Sequence, residues 1–224
     1  MNKMISPQRI IRTTIDLLRK TGKYKDPEAY DYVVDKFLGR SKLVVDLVSY
    51  LEKHISKKAK VLDLAAGTGA LSLELAKKGY QTYTTDISQD MMEKLQTKAK
   101  KQELKIISSV ANLNDKLPFK NNNFSAIITS SANRYITNMD TFLSEVYRVL
   151  EKGGYFIWPI LGSDVISWKI NSGLKQPTLS LTLAKEMKRH GFMVKTDAVK
   201  SIFRNTLKGV PPYAIPTYLI GKKY

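Results

Sequence analysis

The sequence predicts an α/β fold: three layers, with a seven-stranded, mostly parallel sheet, helices on both faces and an antiparallel hairpin at the C-terminal edge. Two observations predict it. Strand-like and helix-like runs alternate from residue 60 onward, the pattern of parallel strands joined by helical crossovers. After the last helix, two strand runs follow with no helix between them, which suits antiparallel pairing at one edge.

The elements follow in order. Residues 5–20 place Ile10, Ile11, Ile15, Leu17 and Leu18 at helical spacing. Asp26-Pro27-Glu28 is a helix start, with a capping aspartate, proline at the first position and an acidic first turn. That helix carries Tyr30, Val33, Val34, Phe37 and Leu38 and is interrupted at Gly39. A second helix, about 41–55, presents Leu43, Val44, Leu47, Val48 and Leu51. KVLDL at 60–64 reads as a buried strand. A helix over 70–78 ends at Gly79, which suits a left-handed cap. YQTYTTD at 80–86 is a strand, and Ser88 caps a helix to about 101. Strands follow at 104–111 and 124–131, a helix at about 138–150, a strand at 154–160 and a helix at 178–190. Strands near 192–199 and 214–221 close the chain.

The 224 residues fit one domain: a helical lid over 1–57 and a core over 58–224. Hydrophobic residues make up 43%, enough for a full core. No apolar run approaches the ~18 residues of a membrane span. The N-terminus is basic and amphipathic and lacks a signal-peptide pattern, so a cytoplasmic protein with no membrane partner is expected. With no cysteine, disulfides, thiolate metal sites and cysteine nucleophiles are excluded. The net charge of +17 by itself favours polyanionic partners. Yet 29 of the 37 basic residues are lysine, and the 8 arginines form no cluster of the kind that reads phosphates or bases. A nucleic-acid partner is therefore not the favoured reading.

The strongest local signal is VLDLAAGTGALSLELAKKG at 61–79, a buried strand, a turn of small residues and an immediate helix. Gly67 and Gly69 allow positive φ and close approach of a ligand, and the amides at the helix start face a polar ligand group. A nicotinamide dinucleotide competes for such a turn. Its fingerprint needs a third glycine, and Ser72 stands there instead. Asp63, just before the turn, disfavours a pyrophosphate and favours a ligand with an ammonium and a sulfonium. Asp86 lies at the end of the second strand, placed to accept hydrogen bonds from both hydroxyls of a ribose. The alternative is that Asp86 only starts the turn before Ser88.

These segments resemble the class I, Rossmann-like S-adenosylmethionine-dependent methyltransferases, of the small-molecule type. VLDLAAGTG resembles the family's first motif and TTDIS at 84–88 its ribose segment. ANLNDKLPFKNNNFSAII at 111–128 resembles the adenine segment, and FLSEVYRVLEKGGYFIWPI at 142–160 the helix, turn and fifth strand. The likeness covers roughly 58–160 and, more loosely, 26–221. It implies S-adenosyl-L-methionine as cofactor and S-adenosyl-L-homocysteine as product. It implies cofactor contacts from Tyr30, Asp63, Ala65, Gly67, Thr68, Gly69, Asp86, Ile87, Met91, Asn112, Leu113 and Ser130. Two positions depart from the family. Ala65 stands where glycine is frequent and is tolerable if its φ is negative. Asn112 stands where an aspartate accepts from the adenine amine; its amide oxygen accepts the same bond, with a strand-end turn residue as the alternative.

The segment SSANRYIT at 130–137 borders the methyl group and acceptor in the family, so Ser131, Asn133, Arg134 and Tyr135 are candidate acceptor contacts. Arg134 suits an acidic substrate group or, equally, an ion pair with a neighbouring helix. Tyr24, Tyr32, Trp158 and Trp168 are further candidates for the pocket, with sheet-edge packing the alternative for Trp158. The short stretch 161–177 leaves little room for a substrate subdomain, which favours a small-molecule acceptor. Without cysteine, methylation of pyrimidine carbon 5 through a thiol adduct is excluded. Pro211-Pro212-Tyr213 lies on the wrong side of the fold for base amino methylation. His54 and His190 end helices and suit interaction with their C-terminal dipoles rather than catalysis. No catalytic residue and no metal set is evident. The resulting expectation is methyl transfer to O or N of a small molecule by a monomer or homodimer. The alternatives are a methyltransferase of RNA or a ribonucleoprotein and a non-catalytic cofactor-binding module.

Overall fold

A computed structural model describes residue 31 and residues 40–130, 132–160, 178–195 and 217–224. The readings placed on 5–20, on Tyr24, Tyr30 and Tyr32, on Ser131, on 161–177 and on 211–213 lie outside the described residues.

The elements run α1 (Arg40–His54), β1 (Lys60–Leu64), α2 (Ala70–Lys77), β2 (Gln81–Asp86), α3 (Gln89–Lys101), β3 (Ile106–Val110), β4 (Phe124–Thr129), a 3-10 turn (Asn133–Tyr135), α4 (Met139–Val149), β5 (Leu150–Ile160), α5 (Thr178–Arg189), β6 (Phe192–Lys195) and β7 (Thr217–Lys223). The sheet order is β3-β2-β1-β4-β5-β7-β6. The first five strands pair in parallel, while β7 pairs antiparallel with both β5 and β6. The C-terminal hairpin is therefore present, but its second strand is the inner one and β6 is the edge. β5 starts earlier than its sequence suggests. Gly153 and Gly154 lie inside the strand, with an irregular register against Phe124 and Ala126.

The period-two alternation of β1 assigns its side chains to two layers. Val61 faces the α1 and α2 side with Leu47, Leu51, Leu75 and Ile128. Leu62 and Leu64 face the other side with Phe124, Ile127, Phe156, Trp158, the α4 residues Phe142 and Val146, and Met187 of α5. A third cluster joins α2, α3 and β3 through Leu73, Met91, Leu95 and Ile106. Local signals set the helix ends. Ser88 caps α3 by accepting from the Met91 amide, and Asn138 caps α4 by accepting from the Thr141 amide. Strand order reverses beside β1, which opens a crevice beyond the carboxyl ends of β1, β2 and β4.

Candidate functional site

The crevice is bounded by the turn between β1 and α2. Its backbone enters the left-handed region at Ala65 (φ 56°), Gly67 (φ 55°) and Gly69 (φ 82°). The negative φ that would make alanine easy at 65 is not found. An L-residue there carries strain of about 1–3 kcal/mol, and this explains why glycine suits the position. Gly69 has a second reason to be glycine. A Cβ on it would come within 2.5 Å of the Leu95 side chain on α3, so this glycine seats the turn against α3.

Two carboxylates organise the turn from beneath. Asp86 ends β2. Its Oδ2 accepts the Gly67 amide at 2.8 Å and its Oδ1 accepts the Ser88 amide at 3.0 Å. Each oxygen keeps a lone pair for a further donor. Asp63 is buried, and its Oδ2 accepts from the Ser72 hydroxyl at 2.6 Å. Burial pushes its carboxyl up to about 7, and the Asp86 charge adds to this, while the Ser72 hydrogen bond pulls the other way. Ser72, noted in the sequence only as a missing glycine, is thus the partner of Asp63. Thr129 of β4 donates to the Leu64 carbonyl at 3.2 Å and ties the strand ends together.

The rim is less uniform. Ile87, next to Asp86, is 67% exposed. Met91 and Leu113 are buried. Asn112 turns inward on its own loop. Its Oδ1 accepts from the backbone amide of Asn114 at 3.0 Å and from the Asn114 side chain at 3.1 Å. Asn114 then bridges to the opposite lip. Its Nδ2 donates to the Tyr135 carbonyl at 2.8 Å, and its Oδ1 accepts the Thr137 and Asn138 amides at 2.7 and 3.1 Å. Asn114 gives no signal in the sequence, because all its partners but Asn112 lie more than twenty residues away.

At the acceptor side, Ser130 is partly buried and Tyr135 is exposed. Asn133 accepts from the Trp158 indole, while its Nδ2 is buried with no partner among the described residues. Trp158 is fully buried in the main core beside Phe142 and Phe156, on an inner strand rather than a sheet edge. The Arg134 backbone belongs to the 3-10 turn.

Two residues absent from the sequence reading reach the turn from outside it. The Asp31 carboxylate accepts from the Thr68 hydroxyl and from Lys98 of α3. The histidines sit at helix ends as expected. His54 Nδ1 is 2.7 Å from the Tyr50 carbonyl and its ring stacks on Tyr50; His190 Nδ1 is 2.9 Å from the Glu186 carbonyl. Asp140, Glu186 and His190 do converge, with one ligand atom each within 4.8 Å of the others. Arg189 pairs with both of these carboxylates, so the group is an ion-pair network joining α4 to α5.

A methyltransferase domain model matches residues 62–158. A ubiquinone/menaquinone biosynthesis C-methyltransferase of Neisseria meningitidis is 30% identical over 155 residues, covering 64% of this chain and 61% of that protein. A demethylmenaquinone methyltransferase of Leptospira interrogans is 31% identical over 115 residues, covering 50% of this chain and 46% of that protein. The chain thus spans about half to three-fifths of the length of these relatives. Among solved structures, a Pyrococcus horikoshii protein superposes with a TM-score of 0.62 at 22% identity, covering 83% of this chain and 91% of that one. A Haloferax volcanii putative methyltransferase in complex with the Trm112 methyltransferase activator gives 0.65 at 15% identity, covering 89% and 96%. These two likenesses are of fold. No described helix is long and apolar enough to cross a membrane.

Proposed function

We propose that the chain, whose residues 62–158 match a methyltransferase domain model, is a class I, Rossmann-like S-adenosylmethionine-dependent methyltransferase that methylates a small-molecule acceptor and releases S-adenosyl-L-homocysteine. The observation that carries this reading is Asp86: one carboxylate braces the glycine-rich turn through Gly67 and keeps lone pairs for ribose hydroxyls. The bound cofactor supplies a methyl group already activated on a sulfonium.

The chain's own residues bind, orient and exclude water. Asp86 takes the ribose, with Ile87, Met91 and Leu113 along the adenine. Ala65, Gly67, Thr68 and Gly69 give backbone contacts to the amino-acid tail. Asp63 supplies a buried countercharge to the cationic centre. Asn112, its carbonyl taken by Asn114, contributes the shape of its turn rather than an acceptor. Tyr30 covers the cofactor, and Ser130, Ser131, Asn133, Arg134 and Tyr135 form the acceptor lip. The acceptor is a nucleophilic oxygen or nitrogen, for which orientation suffices without a dedicated base. A second reading, carbon as the methylated atom, is favoured by the relatives named as C-methyltransferases of quinone biosynthesis.

The test is to offer methyl-labelled S-adenosyl-L-methionine with hydroxylated aromatic compounds and small amines, and to locate the label by NMR. Label on oxygen or nitrogen supports the first reading, and label on a ring carbon the second. Label appearing only on a macromolecule overturns both.

A further inference from the structure

The glycine-rich turn is held from two directions, and only one of them is the expected ribose carboxylate. Thr68, between Gly67 and Gly69, is fully buried, and its hydroxyl donates to Asp31. Asp31 lies thirty-seven residues earlier in the chain and is helical. The same carboxylate pairs with Lys98 of α3, and the Lys98 Nζ also lies 3.4 Å from the Thr68 carbonyl oxygen. The side chains of Asp31 and Lys98 are only 19% and 26% exposed, so solvent screens this pair less than it does a surface pair.

The chemistry of the ligand gives the arrangement a purpose. S-adenosyl-L-methionine carries a sulfonium and an ammonium; S-adenosyl-L-homocysteine keeps the ammonium but has a neutral sulfur. A lysine reaching the turn that binds this ligand would repel the charged form more than the neutral one. We propose that Asp31 is a positioning residue of the cofactor site: its carboxylate fixes the turn through the Thr68 hydroxyl and cancels the Lys98 charge, so that the turn receives a cationic cofactor without an opposing cation beside it. This rests on the cofactor reading above and adds to it a residue that sets preference between cofactor and product.

The experiment is titration calorimetry of the full chain with both compounds, for wild type, Asp31→Asn, Lys98→Gln and the double variant, at low and high salt. Binding of either compound by wild type secures the cofactor reading by itself, so a failure there is distinct from a failure of the inference. Asp31→Asn is expected to lose about tenfold in affinity for S-adenosyl-L-methionine and about threefold or less for S-adenosyl-L-homocysteine. The difference shrinks in high salt. In the double variant the ratio of the two affinities returns to the wild-type value, although the turn has lost both side chains. Equal losses for the two compounds, no loss, or a ratio that stays altered in the double variant each overturn the proposal. If Asp31→Asn does not fold, Lys98→Gln carries the test. It leaves an extra negative charge and should favour S-adenosyl-L-methionine over the product by about threefold relative to wild type; an unchanged ratio overturns the proposal.

Discussion

The turn at 65–69 follows the carboxyl end of β1, the clasp around Lys223 sits where β4 and β5 begin, and the two treat polar groups in opposite ways. At the clasp every donor is used. The buried Lys223 ammonium gives its protons to Asn122 Oδ1, the Tyr147 carbonyl and the Leu150 carbonyl at 2.7–2.8 Å. Arg148 donates to the Leu117 and Phe119 carbonyls, to Asn121 and to Glu145. At the turn, by contrast, Asp63 is a buried carboxyl with a raised pKa and Ala65 is strained. Nearby, Ile87 is bare and Asn133 Nδ2 has no partner among the described residues. A saturated network holds β7 to α4 and to the start of β5. An unsaturated one keeps bonding capacity and strain in reserve for a ligand.

Lys223→Met attacks the saturated end, and the largest effect is expected there. Three acceptors, of which the Leu150 carbonyl is buried, lose their donor at once, so urea unfolding should show a loss of about 1–3 kcal/mol. A variant within about 0.5 kcal/mol of wild type would mean that the clasp adds nothing to stability. Asp86→Ala attacks the other end. Cofactor affinity should fall by about 1–3 kcal/mol, because the ribose hydroxyls and the Gly67 amide lose their acceptor. Calorimetry showing unchanged affinity would remove Asp86 from the site.

Asp63 gives a pH signature. Its folded pKa, about 7, lies above its ordinary value of 3.8, so the folded state holds the proton more tightly than the unfolded chain does. The stability this contributes is complete below 3.8 and is lost as pH rises through about 7. Asp63→Asn should flatten that slope in unfolding curves measured across the window. A slope identical in the variant would show that Asp63 does not titrate there. The smallest effect is expected at Ile87. Ile87→Ala should leave unfolding unchanged, since the side chain is already exposed, and should weaken cofactor binding by about 1 kcal/mol as the purine loses an apolar partner. A stability loss with no change in binding would place Ile87 in the fold rather than the site.

Much of this could be read from residue spacing because it is local. The Ser88 cap and the left-handed Gly79 both lie within or between adjacent elements, whereas the bond from the Gly67 amide to Asp86 is visible only in the structure. The parts that stayed hidden are long-range. Nothing in 214–221 says that β7 inserts between β5 and β6, because that choice is made by packing of Tyr218, Leu219 and Ile220 against both core layers. Lys223 finds acceptors between 73 and 101 residues away, and Asp31 meets Lys98 across 67. Asn112 carries the chemistry to accept a hydrogen bond, but competing donors of Asn114 two residues on, inside a tight turn, occupy its side-chain carbonyl. Ala65 is expected at negative φ because an alanine stands there, whereas its φ is set by the path of the turn around it.

The central claim is that the unsaturated end binds S-adenosyl-L-methionine and the saturated end does not take part. It is tested most directly by calorimetric titration of wild type, Lys223→Met and Asp86→Ala with that cofactor under one set of conditions. The account predicts equal affinity for wild type and Lys223→Met, and binding weakened by about 1–3 kcal/mol for Asp86→Ala. Equal binding by all three, or binding lost in folded Lys223→Met and kept in Asp86→Ala, would contradict it.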